Sequence, residues 1–101
     1  MSSIHRIQIY ATDYQEISGS NRVLSAAADR GDRSDVIDIW FETSDNPIAY
    51  PTAIYIFGTG YPTPWNHWNR DNWRFIDTVV TPSGLVWHVY VGPLADRPVP
   101  S

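Results

Sequence analysis

Trp65, Trp68 and Trp73, three of the chain's five tryptophans, fall within the stretch YPTPWNHWNRDNW that runs from Tyr61 to Trp73. His67 and Arg70 lie between them, and Arg74 follows directly. The spacings of three and five residues fit neither a helical nor a strand period. Two prolines and three asparagines favour turns. Tryptophan, tyrosine and arginine dominate binding hot spots, and asparagine adds adaptable hydrogen bonds. Arg70 and Arg74 can clasp an anionic group through paired N–H donors. The chemistry this stretch offers is recognition rather than reaction. Tyr61, Trp65, His67, Trp68, Arg70, Trp73 and Arg74 are therefore the candidate ligand- or partner-binding residues. The same aromatics also suit a lid folded over one open end of a sheet, indoles inward.

Other groups with chemical potential are weaker. His88 sits in VWHVY between apolar neighbours. It reads as a half-buried histidine bonded to a neighbouring strand or loop before it reads as an acid–base residue. His5, His67 and His88 lie on different segments without metal-ligand spacing. Asp29, Asp32 and Asp35 recur every third residue in DRGDRSD, but the glycine and closing glutamate of a calcium loop are out of place, so a solvated turn is expected. The glycines of GTG suit a bend; no helix follows to make a phosphate cradle. No cysteine is present, which excludes disulfides, thiolate metal sites and cysteine nucleophiles. No catalytic constellation and no cofactor is expected.

The chain has 101 residues, 43% hydrophobic and 18% charged. That is one globular domain with a small core, to which the 14% of aromatic residues contribute buried area. We place the domain at 1–93, with a proline-rich tail at 94–101. Net charge is −4, which argues against nonspecific nucleic-acid binding. No apolar run approaches the roughly 20 residues of a membrane span, and MSSIHRIQIY lacks the features of a signal peptide. All seven basic residues are arginine, the codon-usage mark of a GC-rich genome such as an actinobacterial one.

These side chains must be positioned by strands. IHRIQIY at 4–10 is β-rich. ATDYQEISGS supplies a short extended piece and a turn. RVLSAAA at 22–28 has the length of a strand, despite alanines that favour helix. VIDIWFET at 36–43 alternates most clearly: Ile37, Ile39 and Phe41 share one face, and Val36, Asp38, Trp40 and Glu42 the other. TAIYIFG at 52–58 is a further strand. WRFIDTVV at 73–80 and LVWHVYV at 85–91 form a hairpin across TPSG. The expected fold is all-β, a small antiparallel sandwich or open barrel of about six short strands. Ile37, Ile39, Phe41, Ile54, Ile56, Val79, Leu85, Trp87 and Val89 are the expected core.

IYIFGTGYP followed by FIDTVVTPSGLVWHVYVG resembles a family of small bacteriophage proteins of unknown function. Its members carry an N-terminal strand, a D-x-Q-x-I segment, an alternating strand with tryptophan, a GTGHP-like turn and a closing L-V-W/F-H-V strand. The counterparts here are IHRIQI, Asp13–Ile17, VIDIWFE, Ile56–Pro62 and Leu85–Val89. Tyr61 stands where that pattern has histidine, and the tryptophan-rich segment is longer and more aromatic than the usual connection. The resemblance implies a viral origin and an all-β fold, and no activity.

The leading expectation is a non-enzymatic phage accessory protein that binds a host protein or a small host molecule. In one version an anionic nucleotide is sequestered in a pocket between protomers, its base on Trp or Tyr and its phosphates on Arg70, Arg74 or Arg22. The alternative is a virion accessory or decoration protein. An enzyme built on His88 or His67 with a nearby aspartate is a third. Self-association is expected, because small β domains leave edge strands to cover. The expected location is the host cytoplasm during infection, or the virion.

Overall fold

The alternation of residues 36–43 builds the centre of one of two sheets. The computed structural model describes residues 3–18, 22–31, 33–43, 51–60 and 72–94. They form β1 (Ser3–Tyr10), β2 (Tyr14–Ile17), β3 (Arg22–Ala28), β4 (Val36–Thr43), β5 (Thr52–Gly58), β6 (Arg74–Val80) and β7 (Val86–Gly92). Sheet one runs β1-β4-β3 and sheet two β2-β5-β7-β6, with every neighbouring pair antiparallel. The fold is all-β, as expected, and the two sheets do not close into a barrel. The extended piece YQEI is a strand in its own right, pairing with β5 from Tyr14↔Tyr55 to Ile17↔Thr52. That makes seven strands among the described residues rather than about six.

The inward faces meet in one core. Ile9, Val23, Ala26, Ile37 and Ile39 come from sheet one, and Ile17, Ile54, Ile56, Val79 and Val89 from sheet two. Phe41 and Trp87 pack against this core while only partly buried. Leu85 does not belong to it and is 50% exposed. Period-two parity placed it beside Trp87, but it precedes β7 and lies in the turn. There Gly84 N–H donates to the Thr81 carbonyl and Thr81 N–H to the Leu85 carbonyl, both at 2.9 Å. Gly84 has φ 90°, the left-handed position that closes a three-residue hairpin. Of the GTG glycines only Gly60, at φ 91°, needs this freedom; Gly58 ends β5 in ordinary strand conformation.

The second face of β4 is also covered at its start. Val36 and Asp38 are both buried, Asp38 completely. The cause is the central position of β4, which puts Gln8 of β1 on one side of Asp38 and Ala27 of β3 on the other. Neither carboxylate oxygen of Asp38 has a hydrogen-bond partner; the nearest cation is Arg6 Nη1, 3.8 Å away.

The sheets are joined along one side by side chains. Arg74 Nη2 donates to the Val23 carbonyl, and Ala26 N–H donates to Asp77 Oδ2 at 3.4 Å. Polar groups on the free edge of β3 are thereby satisfied by β6 across the gap. A register shift between Phe75 and Asp77 accompanies the turn of Asp77 toward β3, as a bulge re-aims side chains.

Candidate functional site

β5 and β6 both pair antiparallel with β7, so they run parallel to each other and need a crossover between them. That crossover holds the tryptophan-rich segment. Tyr61, Trp65, His67, Trp68 and Arg70 lie outside the described residues. Trp73 and Arg74, which end the segment and open β6, are described.

Trp73 lies on the outer face of sheet two, not over an open end between the sheets. Its indole rests on Gly92. A Cβ at that glycine would stand 2.5 Å from Trp73 Cε3 and 2.6 Å from Cζ3, so only glycine admits the ring there. Gly92 pairs with Ala53, a second small residue and a buried one. Around them the outward side chains of sheet two are aromatic. Trp73 meets Tyr55 edge-on with centroids 4.4 Å apart, and Tyr14 meets Tyr55 at 5.0 Å. Tyr90 meets Phe57 at 5.8 Å and Phe75 at 5.4 Å, both edge-on. These separations and tilts are the favourable ones for ring pairs. The Tyr55 hydroxyl donates to the Pro93 carbonyl. Burial, then the charges of Tyr14 and Glu16, hold its ionisation above the ordinary phenol value. Sequence reasoning missed this plate, although the signal was available: parity that turns Ile54 and Ile56 inward turns Tyr55 and Phe57 outward.

Arg74 points the other way, toward the gap between the sheets. Together with Arg22, Val23, Thr52 and Val91 it lines a cleft of about 400 Å³. Arg22 opens β3 of sheet one and Arg74 opens β6 of sheet two, so the sandwich itself brings the two guanidinium groups to one place. Burial lowers the proton affinity of Arg74, and the like charge of Arg22 lowers it further. Glu42 faces Arg22 across the β3–β4 ladder. The arrangement is a positive cleft on an acidic chain, with Trp73 one residue before Arg74.

The histidines and aspartates have structural partners. His88 is half-buried on the outer face, its Nε2 2.8 Å from Thr59 Oγ1 and its Nδ1 3.2 Å from Thr78 Oγ1. This matches a histidine bonded to a neighbouring strand and turn. His5 stacks on Phe41 at 5.9 Å. Asp29 is not a solvated turn residue: it is buried, accepting from Gln8 Nε2 at 2.7 Å and Arg33 Nε at 3.4 Å. Burial would raise its pKa, but the Arg33 and Gln8 hydrogen bonds, the Arg33 charge and the Gly31 N–H outweigh that and lower it. Asp35 is exposed, and Asp32 lies outside the described residues. Among the described residues no three histidine, aspartate or glutamate side chains converge on a common point.

Residues 1–98 match a family described as a domain of unknown function (DUF7352). No curated protein and no solved structure matches the chain. The chain belongs to the DUF7352 family.

Proposed function

We propose that this DUF7352 protein is a non-enzymatic bacteriophage accessory protein that binds a small anionic molecule of the host. The phosphate or carboxylate end of the ligand sits in the cleft between Arg22 and Arg74. One observation carries this reading: two arginines from different sheets line one cleft, where burial and then the like charge of Arg22 disfavour the charge of Arg74. An anion between them relieves that repulsion and takes bidentate hydrogen bonds that arginine, and not lysine, supplies. The phosphates of a nucleotide, or inorganic pyrophosphate, supply such an anion.

Calorimetric titration of the full chain with ADP and with inorganic pyrophosphate tests this. Both bind. Arg22→Ala, a change at an exposed residue, and Arg74→Lys each weaken binding at least about tenfold, or about 1.4 kcal/mol. Unchanged affinity in both variants would overturn the reading. A virion accessory role is the second reading. It is favoured by Phe75 and Val80, large apolar side chains left exposed on β6, and on that reading the protein copurifies with particles.

A further inference from the structure

The sandwich has four edge strands, and three of them are protected. The free edges of β3 and β6 face each other and are bridged by Arg74 and Asp77. β2 is only four residues long. β1 is different. It pairs with β4 without a register break from Ser3↔Thr43 to Tyr10↔Val36, and its other edge has no strand beside it among the described residues. Seven of its eight residues are exposed. The sequence SIHRIQIY contains no proline, no lysine and no acidic residue. Edges that must stay unpaired are normally blunted by charged residues and proline, by bulges or by shortness; β1 has one charged side chain, Arg6, which leans on Asp38 of β4, and none of the rest.

We propose that β1 is a self-pairing strand: two copies of this chain join antiparallel through β1, with Ile7 on the two-fold axis, merging their three-stranded sheets into one. The register follows from side-chain direction. Opposed residues in an antiparallel pair point to the same face, so only registers that match residues of like parity keep Ile9 toward the core. Centring the axis on Arg6 sets two arginines directly opposite, which is unfavourable. Centring it on Ile7 sets Arg6 against Gln8 and His5 against Ile9. It also sets Ile4 against Tyr10. Those two, 65% and 64% exposed, are the most exposed large apolar side chains of β1, and the pairing covers each with the other, twice by symmetry. Ile7, 38% exposed, meets its own copy and extends the core across the axis. A strand edge complementary to itself in this way fits a second copy of the same chain, the isologous contact of a closed dimer. β1 shares no residue with the Arg22–Arg74 cleft, so this proposal stands apart from the ligand reading.

The test is sedimentation of the full chain from micromolar to sub-millimolar concentration, with disulfide trapping. The wild type sediments as a dimer at the upper end. Ile4→Lys, a change at an exposed position, keeps the far-ultraviolet spectrum and weakens dimerisation at least tenfold. The chain has no cysteine, so Ile7→Cys and Arg6→Cys report register without background. Ile7→Cys cross-links rapidly to itself under mild oxidation and Arg6→Cys slowly. The trapping result decides the matter even where a lysine variant is poorly folded. A wild-type chain monomeric throughout, a dimer indifferent to Ile4→Lys, or faster trapping through position 6 than position 7 overturns the proposal.

Discussion

Gly92→Ala tests whether Trp73 is held by the outer face of sheet two. The new methyl would stand 2.5–2.6 Å from two carbons of the indole's six-membered ring, well inside van der Waals contact. The ring is rigid and cannot yield by rotating its tip; it must slide off, and Tyr55 stands against it at 4.4 Å. Overpacking of this kind costs about 1–3 kcal/mol. Gly92 is not among the glycines with positive φ, so alanine fits the backbone and recovers about 0.4–1 kcal/mol through the unfolded chain. The clash wins, leaving a net loss of about 1–2 kcal/mol, or a fall in Tm of roughly 5–12 °C at this size. Urea denaturation of four proteins measures it: wild type, Gly92→Ala, Trp73→Ala and the double variant. With the indole gone, Gly92→Ala should be neutral or mildly stabilising, giving a coupling of about 2 kcal/mol between the positions. Equal effects of Gly92→Ala with and without Trp73 would refute the packing argument.

Asp38→Val should raise stability in urea, because it removes a fully buried carboxylate that has no hydrogen bonds. Arg6→Ala should lower it by about 1–2 kcal/mol, less than for a fully buried pair since Arg6 is partly solvated. Arg33→Ala should raise the pKa of Asp29 toward the ordinary aspartate value, read by carboxyl-carbon NMR. The folded pKa of Asp29 is depressed, so its stabilising contribution is fully present above about pH 4 and is lost as pH falls through the folded pKa. The stability gap between wild type and Arg33→Ala should therefore narrow below about pH 4, and a gap that widens on acidification would count against the assignment.

The legible and illegible parts of the fold divide by sequence distance. Alternation in β4 and β5 was enough to turn Ile37, Ile39, Ile54 and Ile56 inward, because each strand's parity is local. The hairpin through Pro82 and Gly84 was legible because its turn chemistry is local too. Leu85 misled because parity says nothing about where a strand starts. The burial of Asp38 was illegible for a different reason. Alternation gives the face, but burial of that face depends on which strands flank β4, and neither β1 nor β3 announces its neighbour. Within the candidate site, Arg74 and Trp73 were named from composition, and Arg22 entered only as one possible phosphate ligand. That Arg22 and Arg74 share a cleft depends on two sheets meeting along β3 and β6, which no local pattern encodes. The ring plate lay between these cases: Tyr55 and Phe57 were outward by parity, but their packing under Trp73 depends on the crossover into β6 laying the indole over Gly92 of β7.

The most direct test of the central claim, that Arg22 and Arg74 form one anion site, is NMR of the arginine Nε–Hε groups during titration of the full chain with pyrophosphate. The Arg22 and Arg74 resonances should shift together along a single saturating curve while those of Arg6 and Arg33, engaged with Asp38 and Asp29, stay in place. Shifts that spread evenly over all the arginines, or that leave Arg22 and Arg74 unmoved, would contradict it.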